Sequence, residues 1–455
     1  MPREQKSAPD KLRSRASMRG SRRDDRVQSD ARHDPREAVS GTIRRSFRVR
    51  PVNPNQRYFD NAATSHPKPP EVVRAVIDYF ETVHASAGRG AYREAVQSEH
   101  ILSRCRDELR RLFGCRDADG VVFGLNGTDA LNIALRGVLR PGDRVINTAL
   151  DHNSVLRPLS ALQEQIGVAW TAVEADPSTT RIDPTRLAAA IQPDTRLVVV
   201  NHASNVTGVL QPLEEIAAVC REKGVLLLVD AAQSAGHVPI DFGAAPVDFL
   251  ACPGHKGLLG PLGTGVLLIR AGAERHLRTV REGGTGSASE SPRQPENLPD
   301  RFEAGSHNAP GIAGLLAAVR WINEQGVETL RRHEQALCRE MMDRLDRIPG
   351  LHWYGPRDVT QRVGVFSVRI DGLHPGDLSS ILEARYQILT RSGLHCAPFA
   401  HRTIGTLDRG GTTRLSLGPF LTREDVIFAT EALAEIAAGC GDGAGAGSVR
   451  AEESP

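Results

Sequence analysis

Three stretches of this chain end an apolar run or a loop on side chains able to do chemistry. In Val225-Leu226-Leu227-Leu228-Val229-Asp230 a carboxylate closes a buried-strand pattern, and Gln233 follows three residues later. In Phe249-Leu250-Ala251-Cys252-Pro253-Gly254-His255-Lys256 a His-Lys pair follows another such run and leads into the glycine-rich stretch 257–265. By default a carboxylate after a strand caps a helix, and a lysine lies on the surface. A lysine between Gly-His and a Gly/Pro loop is harder to assign to surface charge, because glycine lets the backbone approach a ligand closely. The third stretch is Arg391-Ser392-Gly393-Leu394-His395-Cys396-Ala397-Pro398, where basic neighbours favour a thiolate on Cys396. Cys105, Cys115, Cys220, Cys338 and Cys440 read instead as small buried hydrophobes.

The elements that must carry these residues alternate along the chain. Val121-Val122-Phe123 precedes the amphipathic stretch Ala130 to Leu139, and Arg144 to Asn147 precedes Ser154 to Gln165. Runs at 168–173, 197–200, 225–229 and 249–251 alternate with helical segments at 184–191 and 213–223. Continuous apolar runs between helices imply strands buried on both faces, hence an α/β fold with a large, mostly parallel sheet. Ligands of such sheets bind beyond the carboxyl ends of the strands, which is where Asp230 and Lys256 fall. From about Gly311 the texture changes to long helices, 312–323 and 327–348, followed by shorter strands and helices, which predicts a smaller α+β domain. The expected organisation is a basic, disordered extension over 1–50, an N-terminal segment and large domain over 51–310, a small C-terminal domain carrying the cysteine loop over 311–438, and a flexible tail over 439–455.

Composition narrows the class. A hydrophobic fraction of 40% and a charged fraction of 25% are ordinary for a soluble globular protein, and a net charge of +2 gives no reason to expect nucleic acid or an anionic membrane as partner. No apolar run approaches the roughly 20 residues that span a bilayer. The seven cysteines are scattered without C-x-x-C pairing, which argues against a disulfide framework or zinc site and fits a reducing cytoplasm. The Arg-rich first fifty residues have no apolar signal core, and their Asp and Glu count against a transit peptide.

An acid and an amine on neighbouring strand ends meet the needs of pyridoxal phosphate, which requires an amine for its aldehyde and a carboxylate to keep its pyridine nitrogen protonated. The chain also resembles the class V aminotransferase superfamily, and within it the cysteine desulfurases related to selenocysteine lyase. The resemblance covers residues 56–438. It rests on ordered motifs: Tyr58-Phe59-Asp60-Asn61-Ala62-Ala63-Thr64, Asn126-Gly127-Thr128-Asp129, Asp151-His152-Asn153-Ser154, Ser204-Asn205-Val206-Thr207-Gly208, Asp230-Ala231-Ala232-Gln233, Gly254-His255-Lys256, Gly283-Gly284-Thr285-Gly286, the Cys396 motif and Thr413-Arg414-Leu415-Ser416.

The resemblance implies the pyridoxal-phosphate transferase fold, type I, and a set of roles. Lys256 holds the cofactor as a Schiff base and shuttles the Cα proton. Asp230 pairs with the pyridine nitrogen, Gln233 with the ring hydroxyl oxygen, and His152 stacks on the ring. Gly127, Thr128 and His255 contact the phosphate, while Thr285 reaches a phosphate across a homodimer interface. Asn205 lies near the ring oxygen and substrate carboxylate, with Ala62 beside the substrate, and Arg414 clamps that carboxylate in two-point fashion. Cys396 takes sulfur from L-cysteine as a persulfide, leaving L-alanine, and passes it to a sulfur-acceptor or iron–sulfur scaffold protein. An aminotransferase-like or selenocysteine lyase activity on another amino acid would keep Lys256 and Asp230 without needing Cys396. Two positions depart from the pattern: Pro253 replaces the usual Ser or Thr before Gly-His-Lys, and Tyr92 stands where His is common.

Overall fold

The computed structural model describes residues 56–88 and 90–443. A short strand, β1 (Arg57–Tyr58), leads to two helices, α1 (Pro70–Asp78) and α2 (Arg93–Leu112), linked by a π-helical turn at Tyr79–Val83. The α/β region then alternates β2 (Gly120–Gly124), α3 (Gly127–Val138), β3 (Arg144–Thr148), α4 (Asn153–Ile166) and β4 (Ala169–Val173). It continues through α5 (Pro184–Ala190), β5 (Thr195–Asn201), α6 (Leu213–Lys223), β6 (Leu226–Asp230), β7 (Phe249–Pro253) and β8 (Gly265–Ile269).

These strands form one seven-stranded sheet of order β2-β8-β7-β6-β5-β3-β4. Every pairing from β4 to β7 is parallel, whereas β8 runs antiparallel to both β2 and β7. The mostly parallel α/β fold expected from the apolar runs is therefore present. The reversed β8 is the part that the alternation did not announce, because its run Val266 to Ile269 follows a Gly/Pro loop instead of a helix. Val122, Val145, Leu197, Val199, Leu228 and Phe249 bury one face of the sheet against Ile133, Leu135, Val155 and Leu159 of α3 and α4. The carboxyl ends of the central strands are in register: Asn201 pairs with Asp230, and Asp230 with Ala251.

The second half opens with α7 (Ala309–Gln325) and α8 (Val327–Leu345), then β9 (Leu351–Tyr354), β10 (Val365–Ile370), α9 (Pro375–Tyr386) and β11 (Ile388–Leu389). It closes with β12 (Arg391–Gly393), α10 (Pro398–Thr403), β13 (Thr412–Ser416) and α11 (Arg423–Gly443). Strands β12-β13-β10-β9 make an antiparallel sheet with its own core, in which Met341, Phe366, Leu415 and Val426 pack together. Phe59, fully buried, enters this core from the start of the chain, and β1 pairs in parallel with β11. The last helix runs to Gly443, past Gly439 where the tail was expected to begin, and the rest of that tail and the extension over 1–50 lie outside the described residues. No helix among the described residues is long and apolar enough to cross a membrane.

Candidate active site

The ends of β5, β6 and β7, the loop after β7 and the N-termini of α3 and α4 surround a cavity of about 320 Å³. Asp230 forms its floor, 2% exposed, with Oδ1 accepting the Ala232 N–H at 2.9 Å. Burial pushes this carboxyl upward, opposed by that N–H and by the positive charge of Lys256. Lys256 lines the same cavity. Burial lowers its amine to about 8; Asp230 opposes the change, while Arg414 and Arg391 add to it. Gln233 also lines the wall and donates Nε2 to the Ala62 carbonyl at 2.9 Å.

At the other end, α3 begins beneath the cavity because Asn126 caps it, accepting the Asp129 N–H at 2.9 Å. Gly127 lies flat on Pro253: a Cβ there would sit 3.0 Å from the proline Cδ. Thr128 Oγ1 meets Ser154 Oγ at 2.7 Å, and Ser154 in turn meets His152 Nδ1 through its hydroxyl at 2.9 Å and its N–H at 3.0 Å. Because Nδ1 accepts a backbone N–H, the imidazole proton resides on Nε2. Burial and the nearby charges of Lys256, Arg391, Arg414 and Arg157 hold His152 near 4, so the ring is neutral. His255 is likewise held near 4 by burial, Lys256 and Lys68, and its buried Nδ1 has no partner.

The third wall comes from the second half of the chain. Arg414 on β13 is 1% exposed; it donates Nη2 to Asp60 Oδ1 at 2.7 Å and Nη1 to the Asn205 carbonyl at 3.2 Å, while its buried Nε has no partner. Arg391 on β12 stands directly opposite Arg414 in the register, and its Nη2 reaches Cys396 Sγ at 3.6 Å. Asn205 lines the cavity, yet its Nδ2 donates to the His395 carbonyl at 2.7 Å. The Cys396 carbonyl accepts the Asn153 N–H, also at 2.7 Å. Cys396 is half-buried, and both it and His395 adopt left-handed backbone conformations (φ +58° and +48°).

The structure thus gathers Gly127, Thr128, His152, Asn205, Asp230, Gln233, His255 and Lys256 around one cavity, with Arg414 and Cys396 tied to its wall through Asn205 and the Cys396 loop. Thr285 and Ala62 are not among its lining residues. The Thr285 hydroxyl engages Ser287 Oγ at 3.1 Å, and the Ala62 peptide is taken up by Ser416 Oγ at 2.9 Å and by Gln233. Tyr92, 57% exposed at the start of α2, is outside the cavity as well. Three neighbours were not among the expected site residues: Ser154, Asp60 and Asn153. All lie inside motifs quoted above, but nothing in their spacing distinguishes them from turn or cap residues.

The sequence and fold of this chain are shared with known proteins. Residues 57–427 match the aminotransferase class-V family, and the chain belongs to it. A probable cysteine desulfurase of Methanothermobacter thermautotrophicus is 36% identical over 383 residues, covering 84% of this chain and 94% of the relative. The apo structure of a cysteine desulfurase from Thermococcus onnurineus superposes with a TM-score of 0.79 at 32% identity, covering 84% of this chain and 95% of that one. A cysteine desulfurase from Escherichia coli, solved as its S-sulfonic acid, gives a TM-score of 0.74 at 25% identity over 85% of this chain and 95% of that one.

Proposed function

We propose that this chain is a pyridoxal-phosphate-dependent cysteine desulfurase that converts L-cysteine to L-alanine and stores the sulfur as a persulfide on Cys396. The observation that carries this reading is the convergence of Asp230 and Lys256 on one cavity whose wall is joined to the Cys396 loop. The residues present fit the cofactor. Asn205 Oδ1 and His255 Nδ1 are buried cavity-wall atoms without partners, which a polar ligand would satisfy. The opening N–H groups of α3, with Thr128 and Ser154, offer an anion site, so the Ser154 hydroxyl stands in for the one missing at Pro253.

Asp230 would hold the pyridine nitrogen, Gln233 the ring oxygen, His152 the ring face, and Gly127, Thr128 and His255 the phosphate. Bound pyridoxal phosphate supplies an aldehyde for the substrate amine and an electron sink for the pair released at Cα. Arg414, already oriented by Asp60, presents its remaining donors to the substrate carboxylate. Lys256 accepts the Cα proton on Nζ and returns it. Cys396 Sγ then bonds to the substrate sulfur as the substrate Cβ–Sγ bond breaks, and that electron pair stays with carbon. Carbon gains a proton to become the alanine methyl, so cysteine plus thiol balances alanine plus persulfide.

Thr285, which does not line its own chain's cavity, fits a contribution to a partner's site in a homodimer. The exposed Leu125 and Leu262, which flank the cavity, support an apolar rim that a second copy would cover. All seven cysteines are free thiols, which supports a reducing cytoplasmic setting and transfer to a sulfur-acceptor protein. Purified protein given L-cysteine and a reducing thiol, which frees the persulfide sulfur as sulfide while being oxidised to its disulfide, should yield alanine and sulfide, and borohydride should fix the cofactor to Lys256. Cys396→Ala should keep the cofactor and lose at least about tenfold in rate. Equal sulfide release by the variant and the wild type would reject the persulfide step.

A further inference from the structure

We propose that Asn153 and Asn205 are positioning residues for Cys396: together they clamp the carbonyls of His395 and Cys396 and hold the thiol loop in a backbone conformation that it would not keep unaided. His395 (φ +48°) and Cys396 (φ +58°) are consecutive non-glycine residues in the left-handed region, each costing on the order of 1 kcal/mol. Such a pair persists only where its surroundings over-determine it.

Two short hydrogen bonds do so here. Asn205 Nδ2 donates to the His395 carbonyl and the Asn153 N–H to the Cys396 carbonyl, each at 2.7 Å. The two donors come from separate elements, the start of α4 and the loop after β5. Asn153 is the first residue of α4, so its N–H has no partner within the helix and is free to reach outward; it directly follows His152. Asn205, 5% exposed, also receives Arg414 through its carbonyl and leaves Oδ1 buried and unpartnered at the cavity. The thiol is therefore registered at once to the wall that carries His152 and to the arginine meant for the substrate carboxylate. Loss of either bond lets the left-handed pair relax and moves Sγ off Arg391, which it now meets at 3.6 Å.

The inference rests on Cys396 being the residue that takes the sulfur, and its test separates the two. Asn153→Pro deletes one N–H and little else. Proline is accepted at the first position of a helix, and the preceding His152 already has the extended backbone (φ −72°, ψ 156°) that proline demands. In the full-length holoenzyme this variant should keep the visible absorption of the wild type. Its kcat for alanine formation should fall about tenfold with KM within about twofold, and the rate at which iodoacetamide alkylates Cys396 should change at least about threefold, read by peptide mass. Asn205→Asp turns the donor facing the His395 carbonyl into an acceptor; it should change the alkylation rate likewise, and it serves if Asn153→Pro does not fold. Wild-type alkylation of Cys396 in either folded variant overturns the clamp. Sulfur transfer that survives Cys396→Ser would instead remove the functional reading, while the alkylation comparison still decides the clamp.

Discussion

At the scale of single residues, the site is a balance of buried charges. Arg414 and Arg391 stand side by side on β13 and β12 with one carboxylate, Asp60, bonded to the first. Like charges directly opposite in a sheet repel, so the pair is poised for a second anion, which in the proposed reaction is the substrate carboxylate. Arg414→Lys should therefore raise KM for L-cysteine roughly tenfold or more with kcat less affected, since an ammonium cannot keep Asp60 and also grip a carboxylate at two points. Steady-state kinetics decide this, and an unchanged KM would count against the assignment. His202 gives a stability test. Buried, with Nδ1 at 2.9 Å from Ser234 Oγ, it is held near 4 by burial. The unfolded state binds its proton below about 6.5 while the folded state resists until about 4. Its contribution is thus complete above that window and is lost as pH falls through it. The stability difference between wild type and His202→Gln should shift across that range in denaturant titrations, and a pH-independent difference would contradict it. Asp230, Lys256 and Cys396 were legible because each ends an apolar run or sits in a long motif. Asp60 acts through one carboxylate oxygen, Asn153 through one N–H and Ser154 through its hydroxyl and N–H, which leaves no periodic or compositional trace.

Elements bring these residues together by close approach. Gly265, at the start of β8, would place a Cβ 2.3 Å from the Asn126 carbonyl, the group that accepts the first hydrogen bond of α3. Gly265→Ala should push the start of α3 outward, costing about 1–3 kcal/mol of stability. Because the opening N–H groups of α3 are the proposed phosphate site, affinity for pyridoxal phosphate should fall about tenfold. Titration of the apo-protein with the cofactor, alongside thermal melts, would show both effects, and retention of wild-type affinity would exclude α3 as the phosphate cradle. The parallel strands were readable as continuous apolar runs because both of their faces are covered. The reversed strand β8 and the short β12 were not: β8 follows a Gly/Pro loop with no helix before it, and three residues ending in glycine carry too little pattern to separate a strand from a loop.

For the molecule as a whole, exposed apolar side chains point to a missing neighbour. Val73, Ile77 and Phe80, in and just beyond α1, and Leu125 and Leu262 at the cavity are all more than 40% exposed. Sedimentation should return twice the mass of one chain, and mixing Lys256→Ala chains with Thr285→Ala chains should restore activity above that of either alone, because one of the two mixed sites would carry both native residues. A monomer, or no restoration, would place Thr285 outside the site. The stitching of the first described strand has a consequence for how the protein is made. Arg57–Tyr58 pairs with Ile388–Leu389, Asp60 bridges Ser416, and Asp60 also orients Arg414. Residues that leave the ribosome early must therefore wait more than three hundred residues for their partners, and contacts so distant in sequence form slowly. The proposed substrate pocket cannot exist on a nascent chain that has not yet reached Ser416, so the amino acid can be turned over only once that strand has been made.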